Sequence, residues 1–547
     1  MEKDVVAFLK HLGIPVSSRY CRKLIQIHPD YPSFLSIADT LGQFGLRYQA
    51  VRINGEEVAH VEPPFLVQKN SGDRELRFIK NENDLDKLDG RTEEEHFNVL
   101  QVQHIQSTTD AGNDQVRKED KIRKSAAAVL GFTIVCLLIL YTGSLFSSWI
   151  TAAMFITAIS GVAIGVTLFV YDLGFKNRSV QSFCNAGKHT SCEAVLDSDK
   201  ARVFGSLKWS DAVLAYFVFQ TLVVSLLLPA YGLAVTTILA ALSFLALPVA
   251  LYMLYLQYAE LRLWCKLCLL VEAVLFTQAG LFMVYMYQTG AGILTEMQAL
   301  PVVLTFLVLA GVGSAVILLK SVLEQYYRTE QEAFSSGRVK YSPQVFALLL
   351  QQQKKADTSF FDRELLIGRA EAPVQILMAG SLGCNPCKEG FEKALDVVDC
   401  YPEKVSLAVR FLHADADGAQ NGKLPPATTY LSAYWLEYIY GGQDQSSRTA
   451  LLLHDWFRLK DTEKFAKEYP MPLNGPFEQA ESLGRLHNNW MEAAEVSRTP
   501  TFFINGYELP ENYSVDELKS IVPGIDEYLQ QQLQKTSEFS PEKHQGF

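Results

Sequence analysis

Six of the nine cysteines in this sequence of 547 residues fall into three close pairs. The pairs are Cys184 with Cys192, Cys265 with Cys268, and Cys384 with Cys387. A thiolate attacks a disulfide to form a mixed disulfide, and a neighbouring thiol then resolves it, so paired cysteines suit thiol–disulfide exchange. Paired thiolates also bind zinc. The sequence therefore indicates redox exchange or metal binding, with Cys21, Cys136 and Cys400 left outside the pairs.

The pair Cys265 and Cys268 opens a predicted membrane helix. It follows the short polar break 260–263 and precedes the apolar run 269–287, which is long enough to cross most of a bilayer. The free N–H groups and the positive dipole end of such a helix favour thiolate over thiol. The alternative, two small apolar residues packed inside a helix, does not account for a spacing that is typical of exchange motifs.

The remaining elements must hold these pairs at a membrane surface. Between residues 125 and 320 there are six apolar runs long enough to span a bilayer. The runs are 125–143, 149–172, 210–229, 231–258, 264–287 and 300–320. An even number of spans returns the chain to its starting side, so we expect all three cysteine pairs and both soluble parts on one face.

The length and charge of the chain limit the possible classes of protein. A chain of 547 residues is too long for one core, which predicts two or three domains in addition to the membrane part. The net charge is −11, and no basic stretch is interleaved with aromatic residues. This composition excludes nucleic-acid binding from the expected functions.

Residues 1–104 are predicted to form a small domain of mixed helix and strand, followed by a charged linker at 105–124. A Pro-rich turn, an amphipathic helix after Tyr31 and strands at 48–53 and 64–68 resemble the papain-like peptidase domain of bacteriocin-processing exporters. A working member of that family needs a Gln shortly before its nucleophilic Cys and a later His. No Gln stands in the residues 16–20 before Cys21. We therefore expect a degenerate, non-proteolytic domain that could dock peptides.

The membrane region carries a specific series of motifs around its four cysteines. In order, these are Cys184, seven residues, Cys192, Val-Leu-Asp-Ser at 195–198, Phe-Gly at 204–205, two helices, and Cys265 with Cys268. This series resembles the vitamin K epoxide reductase family over residues 149–288. The resemblance implies a four-helix core and quinone-coupled thiol oxidation. It further implies that Cys268 faces the quinone, Cys265 exchanges with Cys192, and Cys184 meets the soluble partner. The run 125–143 would then be an additional helix.

The C-terminal region carries the third pair. A polar connector at 321–359 precedes a buried strand at 373–380, Cys384-Asn-Pro-Cys387, a helix, a second strand, a helical stretch at 430–495 and Thr499-Pro500. This order resembles a thioredoxin fold with a DsbA-like insertion over residues 360–535, with a tail at 536–547. The resemblance implies that Pro500 is cis and lies against the dithiol, where it holds a substrate strand.

Together these patterns predict a membrane thiol–disulfide oxidoreductase that oxidises cysteines of substrate proteins. Electrons would pass from Cys384 and Cys387 through the loop and membrane cysteines to menaquinone or ubiquinone, with no metal. One alternative is a structural zinc protein in which the four membrane-region cysteines bind the ion, although a spacing of seven is wider than the usual zinc knuckle. Another alternative is a peptidase or accessory component of a bacteriocin export system, which would depend on Cys21.

Two considerations give opposite answers about the side of the membrane on which the cysteines lie. Every Lys and Arg between residues 125 and 319 lies on the cysteine side, and the positive-inside rule places such a side in the cytoplasm. Disulfide formation favours an oxidising compartment, and the resembling family works outside the cytoplasm. We expect a multi-pass protein of a bacterial cytoplasmic (inner) membrane with its thiols on the periplasmic face, against the Lys and Arg distribution.

Overall fold

The computed structural model describes most of the chain. Residues outside the description are 71–74, 87, 89–91, 93, 106–110, 143–148, 175–179, 181–182, 185–189, 197–201, 205–206, 290–298, 414–423, 473 and 526–547, which include the predicted tail. The chain divides into two compact units. One combines Met1–Ile122 with Glu332–Phe547, and the other is Arg123–Gln331. The predicted multidomain organisation is confirmed.

The N-terminal part is a small α+β domain, as predicted. Its elements are α1 (Glu2–His11), α2 (Ser18–Ile27), α3 (Phe34–Gln43), β1 (Leu46–Asn54), a 3₁₀ turn (Glu57–His60), β2 (Phe65–Lys69), β3 (Leu76–Ile79), α4 (Glu82–Leu85) and β4 (His96–Ile105). The strands form an antiparallel sheet in the order β1-β4-β2-β3. Ser17 and Ser33 begin α2 and α3 by accepting backbone N–H groups of the first turn. The helices pack their apolar faces against this sheet, and the core includes Cys21.

The second unit is a helical apolar core. The elements of this region are α5 (Ala111–Thr142), α6 (Trp149–Asp172), α7 (Cys192–Leu196), β5 (Arg202–Phe204), β6 (Leu207–Lys208), α8 (Trp209–Leu226), α9 (Leu228–Tyr255), a π-helical turn (Leu256–Leu261), α10 (Lys266–Thr289) and α11 (Ala299–Lys340). Helix α5 begins in the first unit, and α11 continues into it.

Five helical segments among the described residues are long and apolar enough to cross a membrane. They are Trp149–Asp172, Trp209–Leu226, Leu228–Leu261, Lys266–Gln288 and Ala299–Lys340. The first predicted run, 125–143, lies within α5 as far as Thr142. It is not among these five segments, so the count of six stays a prediction. Helix α11 also extends through much of the predicted connector before it ends at Lys340.

Close packing of α6 against α8 depends on glycine. A Cβ atom at Gly161 would lie 2.2 Å from the Phe217 ring, and one at Gly165 would lie 3.1 Å from Cα of Leu214. Because neither glycine has a side chain, the two backbones can approach, which is the usual way in which membrane helices associate. This contact fixes two walls of the region that holds the membrane cysteines.

An ionic cluster joins the end of α6 and the start of α8 to the middle of α11. Lys320 Nζ on α11 lies 2.5 Å from Asp211 on α8 and 3.6 Å from Asp172 on α6. Lys208 Nζ lies 2.5 Å from the other oxygen of Asp172. Charges out of water are stable only when they are paired. The cluster therefore ties α11 to the α6–α8 pair.

The C-terminal part has a thioredoxin-like α/β fold with a helical insertion, as predicted. Its elements are α12 (Pro343–Gln351), β7 (Leu365–Ile367), β8 (Val374–Gly380), α13 (Asn385–Cys400), β9 (Val405–Phe411), α14 (Ala427–Tyr438), α15 (Gln445–Leu459), α16 (Thr462–Glu468), α17 (Phe477–Ala493), β10 (Thr501–Ile504), β11 (Tyr507–Glu508) and a 3₁₀ turn (Val515–Ser520). The sheet order is β11-β10-β8-β9-β7, with β8 and β9 parallel and the other pairs antiparallel. Helix α13 follows the central strand β8 and carries the cysteine pair to the end of the sheet.

Candidate functional site

The pair Cys384 and Cys387 lies where β8 passes into α13. Cys384 is the N-cap residue of α13, and its Sγ accepts the backbone N–H of Cys387 at 3.2 Å. A sulfur at this position faces the free N–H groups and the positive end of the helix dipole. Local sequence thus places the first thiol of the motif at the N-terminal end of α13.

The two thiols of this pair have different surroundings. Cys384 is partly exposed, whereas Cys387 is fully buried. Burial, followed by the hydrogen bond from Cys384, raises the pKa of the Cys387 thiol to about 11. The arrangement therefore allows Cys384 to meet a partner while Cys387 remains a protonated thiol beneath it.

The residue before Pro500 contacts this pair. The Thr499–Pro500 peptide bond is cis. The Cys384 thiol donates to the Thr499 carbonyl at 3.7 Å, so the fold brings residues from distant parts of the sequence together. Strand β10, which follows Pro500, pairs with β8, which precedes Cys384. The sheet therefore holds both sides of this site.

Cys265 and Cys268 lie at the start of α10, as predicted. Cys265 immediately precedes the helix and Cys268 is in its first turn. Their Sγ atoms are 2.8 Å apart, and the Cys268 N–H donates to Cys265 Sγ at 3.4 Å. Both residues are buried. Unlike Cys384, neither thiol of this pair is open at the protein surface.

The loop pair is joined in a Cys184–Cys192 disulfide. A parallel β-bridge links Thr190 to Trp264, and the Ser191 N–H donates to the Trp264 carbonyl at 3.2 Å. The bridge aligns the chain just before Cys192 with the chain just before Cys265. All four membrane-region cysteines belong to one buried apolar cluster. The structure therefore brings together the two pairs that the sequence only suggested could exchange.

Parts of the predicted loop motifs lie outside the described residues. These parts are residues 185–189 between the loop cysteines, 197–198 of the Val-Leu-Asp-Ser segment, and 205 of the Phe-Gly pair. A four-thiolate zinc site would need four free thiols, but two of them are joined in the Cys184–Cys192 disulfide.

A cavity opens beside Cys268, between α6, α7, α8, α9 and α10. It has about 560 Å³ of empty volume, including space that is open to the surroundings. Most of its lining is aliphatic, and the polar exceptions are Trp209, Ser210, Cys268 and Glu272. Trp209 Nε1 and Glu272 Oε2 are buried and have no hydrogen-bond partner among the described residues. Polar groups left without partners in an apolar cavity indicate a place for a ligand.

Sequence reasoning missed two polar residues, one in the lining of this cavity and one behind it. Gln257 Nε2 donates to Glu272 Oε1 at 3.1 Å, and Gln257 Oε1 accepts the Cys265 N–H at 2.8 Å. Gln257 is fully buried, and Glu272 is 4% exposed. A carboxylate four residues after Cys268 inside an apolar run was a usable signal, since ionisable groups in membrane segments are usually functional.

Cys21 does not have the environment of a nucleophile. It is fully buried within α2. Burial, with a smaller contribution from Glu2, raises the pKa of its thiol to about 12. His28 is paired with Asp39 at 3.1 Å. The peptidase-like identity of residues 1–104 stays a prediction.

Comparison with known proteins agrees with these two sites. The model of the vitamin K epoxide reductase family matches residues 152–283, and a thioredoxin model matches residues 362–523. No curated protein matches the chain.

Three solved structures illustrate the similarity. Oxidised BdbD from Bacillus subtilis is 14% identical and covers 32% of this chain and 98% of its own, with a TM-score of 0.25. The α-DsbA1 of Wolbachia pipientis is 14% identical and covers 32% and 97%, with a TM-score of 0.24. ScsC of Proteus mirabilis in a transitional conformation is 14% identical and covers 40% and 98%, with a TM-score of 0.23. By its matched families and its apolar helices, the chain is a multi-pass membrane thiol–disulfide oxidoreductase that combines a vitamin K epoxide reductase family domain at 152–283 with a thioredoxin-like domain at 362–523.

Proposed function

We propose that this protein oxidises cysteines of substrate proteins and passes the electrons to a quinone in the bilayer. The observation that carries the proposal is the apolar cavity at Cys268, with the Cys184–Cys192 disulfide in the same buried cluster. The thiols can exchange on one side of Cys268, and a lipid-soluble acceptor can bind on the other. The quinone dependence also agrees with the family that matches residues 152–283.

The residues around the cavity fit a quinone. A quinone has a flat apolar ring with two carbonyl oxygens, and it needs aliphatic walls and hydrogen-bond donors. Trp209 Nε1 is a buried donor without a partner among the described residues, and Glu272 supplies a second polar group. Cys268 and these two residues would hold the quinone, which when bound accepts two electrons and two protons.

The exchange steps follow from the order of thiols. A substrate dithiol reduces the Cys384–Cys387 disulfide, so two electrons move to the thioredoxin-like domain. Cys384 then attacks Cys184 of the loop disulfide and displaces Cys192, and Cys387 resolves the mixed disulfide. Each attack forms one S–S bond and breaks one, so the number of disulfides is conserved.

The membrane steps repeat this chemistry. Cys192 attacks Cys265 of an oxidised Cys265–Cys268 pair and displaces Cys268, and Cys184 then closes the loop disulfide again. The pair Cys265 and Cys268 is left as a dithiol, and its oxidation delivers two electrons to the cavity. In this scheme Cys268 contacts the acceptor, and Pro500 holds a substrate strand next to Cys384.

We further propose a bacterial cytoplasmic membrane, with the thiols on the periplasmic face. An oxidising compartment favours net disulfide formation, while the Lys and Arg distribution favours the opposite orientation. Residues 1–104 would dock peptides without cutting them. The domain limits 1–104, 105–124, 125–320, 321–359, 360–535 and 536–547 stay part of this proposal.

The experiment that tests the function uses serine at the membrane pair. Reduced protein is mixed with a short-chain ubiquinone without oxygen, and quinol formation is followed by absorbance. Cys268→Ser and Cys265→Ser should each abolish quinol formation, because neither variant can close the disulfide that releases the electrons. Cys400→Ser, outside the three pairs, is the control and should retain the wild-type rate. Quinol formation by either membrane variant would reject the assignment.

A further inference from the structure

Glu272 places a carboxyl group in the cavity one helical turn after Cys268. Residues four apart on a helix lie on the same face, and both residues line the cavity. The Glu272 side chain is 4% exposed, and its Oε2 has no partner among the described residues. A carboxyl group without a cation in a membrane helix is unfavourable, so it indicates a functional role.

Gln257 connects this carboxyl group to the cysteine pair. Its amide donates to Glu272 Oε1 at 3.1 Å and accepts the Cys265 N–H at 2.8 Å. Because one oxygen of Glu272 is fixed by Gln257, the other is left to face the cavity. The turn before the cysteine pair therefore sets the orientation of a carboxyl group after it.

We propose that Glu272 transfers protons between the Cys265–Cys268 dithiol and the acceptor in the cavity, and that Gln257 is its positioning residue. The inference rests on the proposed function, because it assigns the protons of the same reaction. Nothing in the exchange of disulfides requires a carboxyl group at this position. Transfer of protons out of a buried pair requires a proton acceptor, and a carboxyl group can serve as one.

The electrons and protons of the proposed step balance within the site. Closing the Cys265–Cys268 disulfide releases two electrons and two protons, and reduction of a quinone to a quinol takes up two of each. Glu272 Oε2 accepts the Cys268 thiol proton and gives it to an oxygen of the quinone. The Cys265 proton follows across the 2.8 Å contact between the two sulfurs and takes the same route. Glu272 ends in the protonation state in which it began.

Few other ionisable groups face this carboxyl. The lining residues from α6, α7, α8 and α9 are uncharged, so Cys268 and Glu272 are the titratable ones, with Cys265 next to them. Behind the wall, the Ser210 hydroxyl donates to Asp172 at 3.3 Å, and Lys208 pairs with that carboxylate. Because the Cys268 thiol also titrates, the difference between the pH profiles of the wild type and Glu272→Gln is what reports on Glu272.

The test compares Glu272→Gln with Glu260→Gln. The first substitution removes the ionisable group but keeps an oxygen that can accept from Gln257. The second makes the same chemical change at an exposed residue of the π-helical turn. Without quinone, the rate of Cys268 modification by N-ethylmaleimide is measured by peptide mass spectrometry against pH. With ubiquinone-1, binding is measured as quenching of the Trp209 fluorescence, which is identified as the signal lost in Trp209→Phe. Oxidation of the reduced Cys265–Cys268 pair is measured in a single turnover.

In Glu272→Gln, we expect Cys268 modification and single-turnover oxidation each to fall about a hundredfold, the lower end of general acid–base contributions. Their pH profiles should lose the contribution of Glu272 and keep only the titration of the thiols. Ubiquinone-1 binding should be retained, because glutamine keeps a polar side chain of the same size beside the quinone. Glu260→Gln should match the wild type. Wild-type rates and pH profile in Glu272→Gln would overturn the proposal. If that variant does not fold, Glu272→Asp decides, because it keeps a carboxyl group and should keep the carboxyl contribution to the pH profile at a lower rate. Loss of that contribution in Glu272→Asp would also overturn the proposal.

The proposed function can fail separately. If ubiquinone-1 does not oxidise the wild-type pair, quinone reduction is wrong. In that case a Glu272-dependent pH profile of Cys268 modification would still support proton transfer from Cys268. If the wild-type pair is oxidised and Glu272→Gln behaves in the same way, only the assignment of Glu272 is wrong.

Discussion

The two pairs with two residues between their cysteines share a motif and a position but differ in their surroundings. Both pairs lie at the start of a helix, Cys384 at α13 and Cys265 at α10. In the thioredoxin-like domain the first sulfur is partly exposed and lies against the backbone before Pro500. In the membrane unit both sulfurs are buried, and an apolar cavity takes the place of a protein surface.

The comparison shows that the motif determines the chemistry and the surroundings determine the partner. A first cysteine at a helix start with a second cysteine three residues later occurs in both places, so both pairs can form and break a disulfide. An exposed sulfur beside a backbone strand suits a polypeptide thiol. A buried sulfur beside an apolar cavity suits a small lipid-soluble acceptor. A chain that contains both sites can connect a soluble protein to the bilayer.

The largest effect is expected when the exposed pair, Cys384 and Cys387, is trapped on the loop pair, Cys184 and Cys192. A mixed disulfide persists only when the resolving thiol is absent, because otherwise that thiol displaces it at high effective concentration. Cys387→Ala combined with Cys192→Ala leaves Cys384 and Cys184 as single thiols, so a mild oxidant such as diamide must take up the two electrons and two protons that their bond releases. With this oxidant we expect the double variant to accumulate a Cys384–Cys184 bond within one chain. Non-reducing digestion and mass spectrometry would identify the linked peptides.

The matched control combines Cys384→Ala with Cys192→Ala, which leaves Cys387 buried and should give no linked peptide. If Cys384 is found bonded only to other proteins while Cys184 stays a free thiol, the two units do not exchange electrons. The thioredoxin-like domain would then serve a different membrane partner.

A second prediction is that Cys384 and Cys387 react with an alkylating reagent at different rates. The pKa of Cys387 is raised to about 11, and a raised pKa means that the thiol keeps its proton at neutral pH. Because pH 8 lies about three units below this pKa, only about one Cys387 in a thousand is thiolate at pH 8. Iodoacetamide should therefore label Cys384 of the reduced protein and spare Cys387. Labelling of Cys387 should rise about tenfold per pH unit until its pKa is reached.

The measurement is the fraction of each peptide alkylated in a short pulse across a pH series. Protein unfolded in guanidinium is the control, because both cysteines then have ordinary solvent access and should react alike. Equal labelling of Cys384 and Cys387 in the folded protein at pH 8 would contradict the assigned roles of attacking and resolving thiol.

Local signals in the sequence were sufficient to place both exchange motifs. The apolar run after Cys268 and the buried strand before Cys384 predict two helix starts, and both are present. The strands predicted at 48–53 and 64–68 correspond to β1 and β2. Each of these predictions depends on neighbours within a few residues, where periodicity and capping act.

The missed features depend on contacts between distant parts of the chain or on the burial that such contacts create. The bridge between Thr190 and Trp264 joins segments more than seventy residues apart, and no periodicity indicates it. The Gln257–Glu272 hydrogen bond needs the π-helical turn to face α10, which depends on packing. The polar composition of the connector also did not indicate that α11 would continue to Lys340.

The smallest expected effect concerns Cys21, a buried cysteine outside the three pairs. Its raised pKa, about 12, comes first from burial and second from Glu2, so at neutral pH the thiol is protonated and cannot attack a peptide or a disulfide. We expect Cys21→Ala to leave substrate-thiol oxidation by the full chain unchanged. We also expect neither the wild type nor the variant to cleave a bacteriocin leader peptide in a mass-spectrometric assay. Cleavage by the wild type that disappears in Cys21→Ala would show that burial does not silence this thiol. Exposure would then no longer separate the reactive cysteines of this chain from the inert ones.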